Sequence, residues 1–339
     1  MVCANKSQKE ERSYMAKMWT SNEGFDIETA RDYASKLVLL ASAHKAGIFE
    51  ALSGEKDIAA LKQALNADER SLFIVLEALC AMGYVHKRLD RYIISEQARS
   101  LFLERGEDYV GGSLPHFLDI MEAWLKLPGI IKGAKPDRSE RDVGAFMNAM
   151  ASRPDEVVEE AVEHCLKRKK NAKNVLDLGG GPGKYAKAFV NRGLKAVLYD
   201  VPDTIDYVKT RFGLGDVRNL TLRKGDFTNE FVNEFAGESF DIIFMGNICH
   251  IYSEKENRKL IKRASNLLGR GGMIAIEDMV RGRSPMAEMF AVNMLANTEE
   301  GSTYKEIQYR EWLADAGFRK IEIFDHAQKN NQLITAFLE

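Results

Sequence analysis

Over roughly the first third of the chain, apolar positions recur every three to four residues, the period of an amphipathic helix. Residues 27–50 carry such a stripe (Leu37, Leu39, Leu40, Ala43) and read as one long helix. Residues 58–65 and 69–83 read as two more. The period then shortens: residues 85–88 and 91–94 bracket Leu89 and Asp90 and read as a small hairpin. Three helices followed by a two-stranded wing make a winged-helix arrangement. Prolines, glycines and a charge run across residues 128–142 mark a connector. Beyond it the pattern changes again. A helix over residues 146–168 leads into short, nearly continuous apolar runs at 175–178, 195–199, 220–222, 240–245 and 273–277, separated by amphipathic stretches. Such runs are strands buried on both faces of a parallel sheet. A last helix (305–316) and two further strands (320–324, 332–338) close the chain. The pattern predicts an α/β fold: a doubly wound, mostly parallel sheet with an antiparallel end. It places a helical N-terminal domain at residues 1–142 and the α/β domain at 143–339.

The first strand of that sheet ends in Asp177 and turns through Gly179, Gly180, Gly181 and Gly183 into a helix. Glycines at such a turn let the backbone approach a ligand that a Cβ would block. The dinucleotide fingerprint needs its third glycine where Lys184 stands, so that pattern fails. What remains, Gly179-x-Gly181-x-Gly183 preceded by Asp177, resembles the cofactor loop of S-adenosylmethionine-dependent methyltransferases. Two more acidic residues end successive strands: Asp200, before Val201-Pro202, and Asp226, before Phe227. An Asp at the second strand end can accept both ribose hydroxyls. One at the third can face an adenine amino group, with Phe227 against the ring. Three strand-end carboxylates together point to an adenosyl cofactor.

Composition narrows the classes without naming one. At 339 residues, with 45% hydrophobic and 29% charged residues and a net charge of −2, the chain suits a globular protein. It offers no basic surface for nucleic acid. The candidate recognition helix of the winged region, residues 71–82, holds no Lys or Arg. Phosphate contacts need basic side chains, so burial against a second subunit is the better reading of that face. No apolar run reaches bilayer length, and residues 1–12 are polar rather than a signal peptide. Four cysteines (Cys3, Cys80, Cys165, Cys249) lack a CxxC pairing, which fits a cytoplasmic setting without a zinc site.

His250 is the candidate catalytic base. It follows the strand 240–245, and in open α/β sheets ligands bind outside the carboxyl ends of the strands. A histidine there can take the proton of an acceptor hydroxyl. Methionines and aromatics flank the sheet, among them Phe117, Met121, Trp124, Met147, Met150, Met289, Phe290 and Met294. Flexible, polarisable methionines suit a flat ligand, although such stripes are also ordinary core. His116 can point into the same cavity. His44, His86, His164 and His326 receive no role, and no cluster has metal-ligand spacing.

Nearly the whole chain resembles the two-domain O-methyltransferases of small aromatic and polyketide molecules, including plant caffeate-type enzymes, acetylserotonin methyltransferase and bacterial antibiotic-tailoring relatives. The segments that carry the likeness are 177–183, 199–202, 225–227, 247–250 and Gly271-Gly272 with the strand after it. The resemblance implies a Rossmann-like methyltransferase sheet with a winged-helix dimerisation domain, and a homodimer. It implies S-adenosylmethionine held by Asp177, Gly179, Gly181, Gly183, Asp200, Asp226, Phe227 and Asn247. It implies His250 as base bordered by Glu277, and a small-molecule acceptor lined by His116, Met147, Met150 and Met294, with Met150 and Met294 sandwiching a ring. The chain departs from the pattern at His250-Ile251-Tyr252, where the family commonly has His-Asp-Trp. It departs again at Thr303, which takes the place of a second acidic residue flanking the histidine; Asp278 stands beside Glu277 as an alternative. These departures leave two other readings open: methylation of an activated aromatic or tetrapyrrole-like carbon, and a winged-helix regulator that senses a metabolite without turnover.

Overall fold

A computed structural model describes residues 26–136 and 142–339. The polar stretch 1–12, Cys3 and residues 137–141 of the charge run lie outside them. The N-terminal part contains helices α1 (Ile27–Lys45), α2 (Ile48–Ala51), α3 (Ile58–Leu65), α4 (Glu69–Ala81), α5 (Glu96–Phe102), α6 (Leu114–Leu125) and α7 (Leu127–Ile131). With them stand three short strands, β1 (Lys56–Asp57), β2 (Val85–Arg88) and β3 (Arg91–Ile94), in antiparallel order β1-β3-β2. The hairpin expected at residues 85–94 is β2–β3, paired Arg88 to Arg91 across the turn.

The second part opens with α8 (Val143–Ala151) and α9 (Asp155–Arg168). There follow β4 (Asn174–Leu178), α10 (Lys184–Asn191), β5 (Lys195–Asp200), α11 (Pro202–Arg211), β6 (Leu220–Lys224), β7 (Phe240–Gly246), α12 (Glu254–Ser265), β8 (Leu268–Asp278), α13 (Ala287–Asn297), α14 (Glu306–Asp315), β9 (Phe318–Asp325) and β10 (Gln332–Leu338). The seven longer strands form one sheet in the order β6-β5-β4-β7-β8-β10-β9. The first five run parallel, and β10 lies antiparallel between β8 and β9. The mostly parallel α/β sheet with an antiparallel end is therefore present.

Alternation along β8 shows how the sheet sorts its side chains. Ile274 and Ile276 enter the cluster under α12 and α14, with Leu260, Trp312 and Leu313. Met273 and Ala275 enter the opposite cluster under α9 and α10, with Val162 and Phe189. A third cluster, with Phe49, Leu61, Leu76 and Tyr92, holds the N-terminal helices.

Two helices differ from the sequence expectation. The helix expected over residues 27–50 ends at Lys45, because Gly47 turns the chain through φ +74°. The helix expected over 146–168 is two helices, broken at residues 152–154. Pro154 disfavours helical backbone at Arg153, and the next helix starts at Asp155. The connector also holds more structure than expected: α7 lies within it, and Asp142 caps α8 by accepting the Ala145 N–H at 3.0 Å. Among the described residues no helix is long and apolar enough to cross a membrane.

Candidate active site

The glycine turn lies between β4 and α10. Gly183 has φ +74°, and a Cβ there would come within 2.4 Å of Leu214, so packing as well as conformation demands glycine. Gly181 has φ +49° but nothing within 4 Å of the place a Cβ would take, so the space over it is open. Asp200 grips this loop from the end of β5: one carboxylate oxygen accepts the Gly181 N–H at 2.8 Å and the other the Val201 N–H at 2.7 Å. Burial raises its pKa against those two bonds. A carboxylate has about four acceptor positions, so two remain for a diol.

The three strand-end carboxylates do not share one role. Asp177 is fully buried beneath the loop, where one oxygen accepts the Ala186 N–H of α10 at 3.0 Å and the other has no partner. Burial pushes its pKa up to about 7. It supports the loop from behind. Asp226 is exposed and closes its own turn, accepting from Thr228 N–H at 2.9 Å and Asn229 Nδ2 at 2.7 Å. Phe227 is buried, with its ring 3.1 Å from the Cβ position of Gly179. It packs on the loop itself.

His250 sits in a single 3₁₀ turn (Cys249–Ile251) just past β7, and is buried. Ile248, two residues earlier, packs on Gly179, where a Cβ would come within 2.5 Å of it, so the histidine segment and the glycine loop are neighbours. The carboxylate that holds the ring is Asp278. Its Oδ1 lies 2.7 Å from His250 Nδ1, and its Oδ2 accepts the His250 backbone N–H at 3.0 Å. Met279 N–H adds a further bond to Oδ1 at 2.8 Å. Asp278 thus engages Nδ1 and leaves Nε2 as the ring nitrogen it does not touch. Phe290 packs edge-on against the ring at 4.8 Å. The assignment of Glu277 beside His250 is thereby corrected. Neighbouring residues of a strand point to opposite faces, so Asp278 follows Ile274 and Ile276 to the His250 side, and Glu277 follows Met273 and Ala275 to the other. Thr303, at the position the resemblance gives to a second flanking acid, is buried and donates its hydroxyl to the Ala287 carbonyl at 3.0 Å.

Glu277 pairs instead with Arg153, which the helix expected over residues 146–168 hides. Arg153 Nη1 also donates to the Tyr185 hydroxyl at 2.7 Å, and Nη2 to Asn247 Oδ1 at 3.2 Å. Asn247 accepts Asn331 Nδ2 at 2.8 Å and holds φ +59° at the end of β7. Lys184, the residue that spoils the dinucleotide pattern, clamps this turn: its Nζ donates to the carbonyls of Ala151 and Arg153 and pairs with Asp155 at 2.6 Å. The Arg153-Pro154 dipeptide was the available signal, since it interrupts a helix at the residue before proline. His326, given no role above, is also buried, beside Glu277.

The expected acceptor residues divide. Met294 on α13 is buried, Met150 on α8 is exposed, and His116 on α6 packs edge-on against Phe146 at 5.3 Å. Met147 is corrected from pocket to core: it is buried with Val158, Val162 and Tyr185 in the layer under α9 and α10. Trp124 Nε1 donates to Asn293 Oδ1 at 2.9 Å and joins α6 to α13.

Residues 121–319 match the family model described as an O-methyltransferase domain. The chain is 23% identical over 303 residues to the 3-hydroxy-5-methyl-1-naphthoate 3-O-methyltransferase of Streptomyces sahachiroi, covering 84% of this chain and 87% of that one. A solved O-methyltransferase family protein from Burkholderia thailandensis superposes with TM-score 0.74 at 21% identity, covering 93% of this chain and 97% of that one. Human N-acetylserotonin methyltransferase, solved in complex with S-adenosylmethionine, superposes with TM-score 0.71 at 19% identity, covering 94% and 99%.

Proposed function

The chain belongs to the O-methyltransferase domain family, and from that we propose that it transfers the methyl group of S-adenosylmethionine to a hydroxyl of a small aromatic molecule. The observation that carries this reading is the buried His250–Asp278 pair beside the glycine loop. The loop fits an adenosyl cofactor: Gly181 leaves open the volume a side chain would fill, and Asp200 retains acceptor positions at the same turn. We assign Gly179, Gly181, Gly183, Asp200, Phe227 and Asn247 to hold it, with Asp177 supporting the loop from below. The Asp226 side chain is taken up by its own turn, so its part is to shape the segment carrying Phe227. Arg153 is assigned to the carboxylate of the cofactor's amino-acid end, because its guanidinium bonds Asn247 and Tyr185, the latter two residues past Gly183. When bound, S-adenosylmethionine supplies a methyl carbon already made electrophilic by its sulfonium.

The protein's own work is then alignment, exclusion of water and one proton transfer. His250 Nε2 accepts the proton of the acceptor hydroxyl. The imidazolium that forms is held by Asp278 until it passes the proton to water. Phe290, packed on the imidazole, limits the directions in which the ring can turn. The test is transfer of labelled methyl from S-adenosylmethionine to a panel of phenols. His250→Ala lowers the rate by about 10²–10⁴-fold, while affinity for S-adenosylhomocysteine is unchanged. Full activity of the variant near neutral pH overturns the base assignment. Failure of the folded wild type on every phenol overturns the acceptor class, and product NMR shows whether oxygen or carbon receives the methyl group.

A further inference from the structure

His326 stands on the turn between β9 and β10, only 1% exposed. Its Nδ1 lies 3.1 Å from Glu160 Oε2 on α9, and its Nε2 lies 3.7 Å from Glu277 Oε2 on β8. The ring is therefore placed between two carboxylates from different elements. Glu277 is the partner of Arg153, and Arg153 and Asn331 meet on Asn247. Polar side chains thus run from the last hairpin through Glu277 to Arg153 and Asn247, the His326–Glu277 step being an ion-pair distance rather than a hydrogen bond. Other titratable groups pack around it. His164 of α9 stacks on Phe324 at 4.3 Å, Tyr185 bonds Arg153, and Cys165 is buried close by. Arg168 pairs with Glu322 at the outer edge of the sheet.

Charge counting exposes a problem that His326 can solve. Glu160 and Glu277 bring two negative charges, and Arg153 brings one positive charge. Glu277 is fully buried, and a buried carboxylate without adequate compensation is costly. If Arg153 must serve Glu277 alone, it has little charge left for an incoming carboxylate. We propose that His326 is a positioning residue for the methyl donor: as a cation it satisfies Glu277, which leaves Arg153 to face the carboxylate of the donor's amino-acid end. This rests on the cofactor reading above. Burial opposes a charged ring, but Glu277 and then Glu160 outweigh it and hold the His326 pKa above its ordinary value. The cation is therefore present at low pH and is lost as pH rises through that raised value. Donor affinity follows the cation.

The experiment is calorimetric titration with S-adenosylhomocysteine, which keeps the same amino-acid end, from about pH 6 to 8.5 in wild type, H326Q and E277Q. Melting curves confirm that each protein is folded. Asp177 titrates in the same window in all three proteins, so the readout is the gap between curves and not the slope of any one. H326Q binds about tenfold more weakly than wild type at pH 6, one log unit of affinity, and the gap closes by pH 8.5. E277Q, which has no buried charge to satisfy, binds more tightly than wild type at pH 8.5, and that gap closes toward pH 6. A gap that stays constant with pH, as a merely structural role gives, overturns the proposal. So does no gap at all. If H326Q does not fold, the E277Q comparison decides alone. Failure of folded wild type to bind at any pH overturns the cofactor reading itself, a separate and recognisable outcome.

Discussion

Asp177 is a carboxyl group in a place that disfavours charge. It is fully buried, one oxygen accepts from Ala186 N–H, and burial raises its pKa from 3.8 to about 7. The sign of the consequence follows from linkage. A carboxyl whose folded pKa is raised binds its proton more tightly in the folded chain than in the unfolded one. Its stabilising contribution is complete below about pH 4 and is lost as pH rises toward 7. Asn in its place copies the protonated form and has no proton to lose. Melting of wild type and Asp177→Asn between about pH 5 and 8.5 tests this: the wild type loses ground steadily as pH rises, by on the order of a few kcal/mol by pH 8. Parallel melting curves would show that the carboxyl ionises without cost. The same residue shows what sequence legibility means at this scale. The position and acidity of Asp177 were readable, but its direction was not, because the geometry of a turn decides whether a strand-end carboxylate faces a ligand or the core. Asp200 holds the glycine loop, Asp226 turns back on its own segment, and Asp278, the alternative to Glu277, is the acid beside His250. That choice is readable in principle, since alternation along β8 sends the two to opposite faces, one following Ala275 and the other Ile276.

The glycine loop is an element in which two glycines do different work. Both Gly181 and Gly183 have positive φ, so Ala at either costs about 1 kcal/mol of backbone strain. Gly183 has a further constraint, because its Cβ would collide with Leu214 and Leu198. Gly181 has none from the protein. Gly183→Ala is therefore expected to lower the melting temperature well beyond Gly181→Ala, whereas Gly181→Ala folds and loses S-adenosylhomocysteine affinity by tenfold or more, about 1.4 kcal/mol. Unimpaired binding by folded Gly181→Ala would remove the cofactor from this loop. Strands and loop were legible here because buried parallel strands are continuous apolar runs ended by turn residues. Helix breaks were less so. Apolar periodicity runs straight across Gly47 and Pro154, and backbone conformation stops the helix where the pattern does not. The second break mattered, since it delivers Arg153 to the site and leaves Lys184 to clamp it.

At the scale of the molecule, apolar exposure is uneven. Leu125 is 81% exposed and Ile131 77%, on adjoining helices α6 and α7, and Phe117 on α6, Phe73 and Ile74 on α4, and Ile27 and Tyr33 on α1 are exposed as well. All belong to residues 1–142, which with the connector we propose as a distinct domain. Exposed apolar side chains on these helices suit burial against a partner, and α4 has no Lys or Arg past Arg70 to offer nucleic acid. A second copy of this chain is the partner we assign, as the family resemblance implies. Because α6 also packs on α13 through Trp124 and Asn293, a contact on this surface reaches the element that carries Phe290, and with it His250. Burying one Leu or Ile stabilises an interface by roughly 1.5–3 kcal/mol, so Leu125→Glu and Ile131→Glu each weaken the dimer by tenfold or more. Ile307→Glu, at a residue 58% exposed on α14 of the sheet domain, leaves it intact. Sedimentation velocity across a dilution series reads all three. A wild type that sediments as a monomer at every concentration rejects the dimer. Equal weakening by Ile307→Glu would place the interface elsewhere, on the face of the sheet domain, and would remove the exposed side chains of α6 and α7 from it.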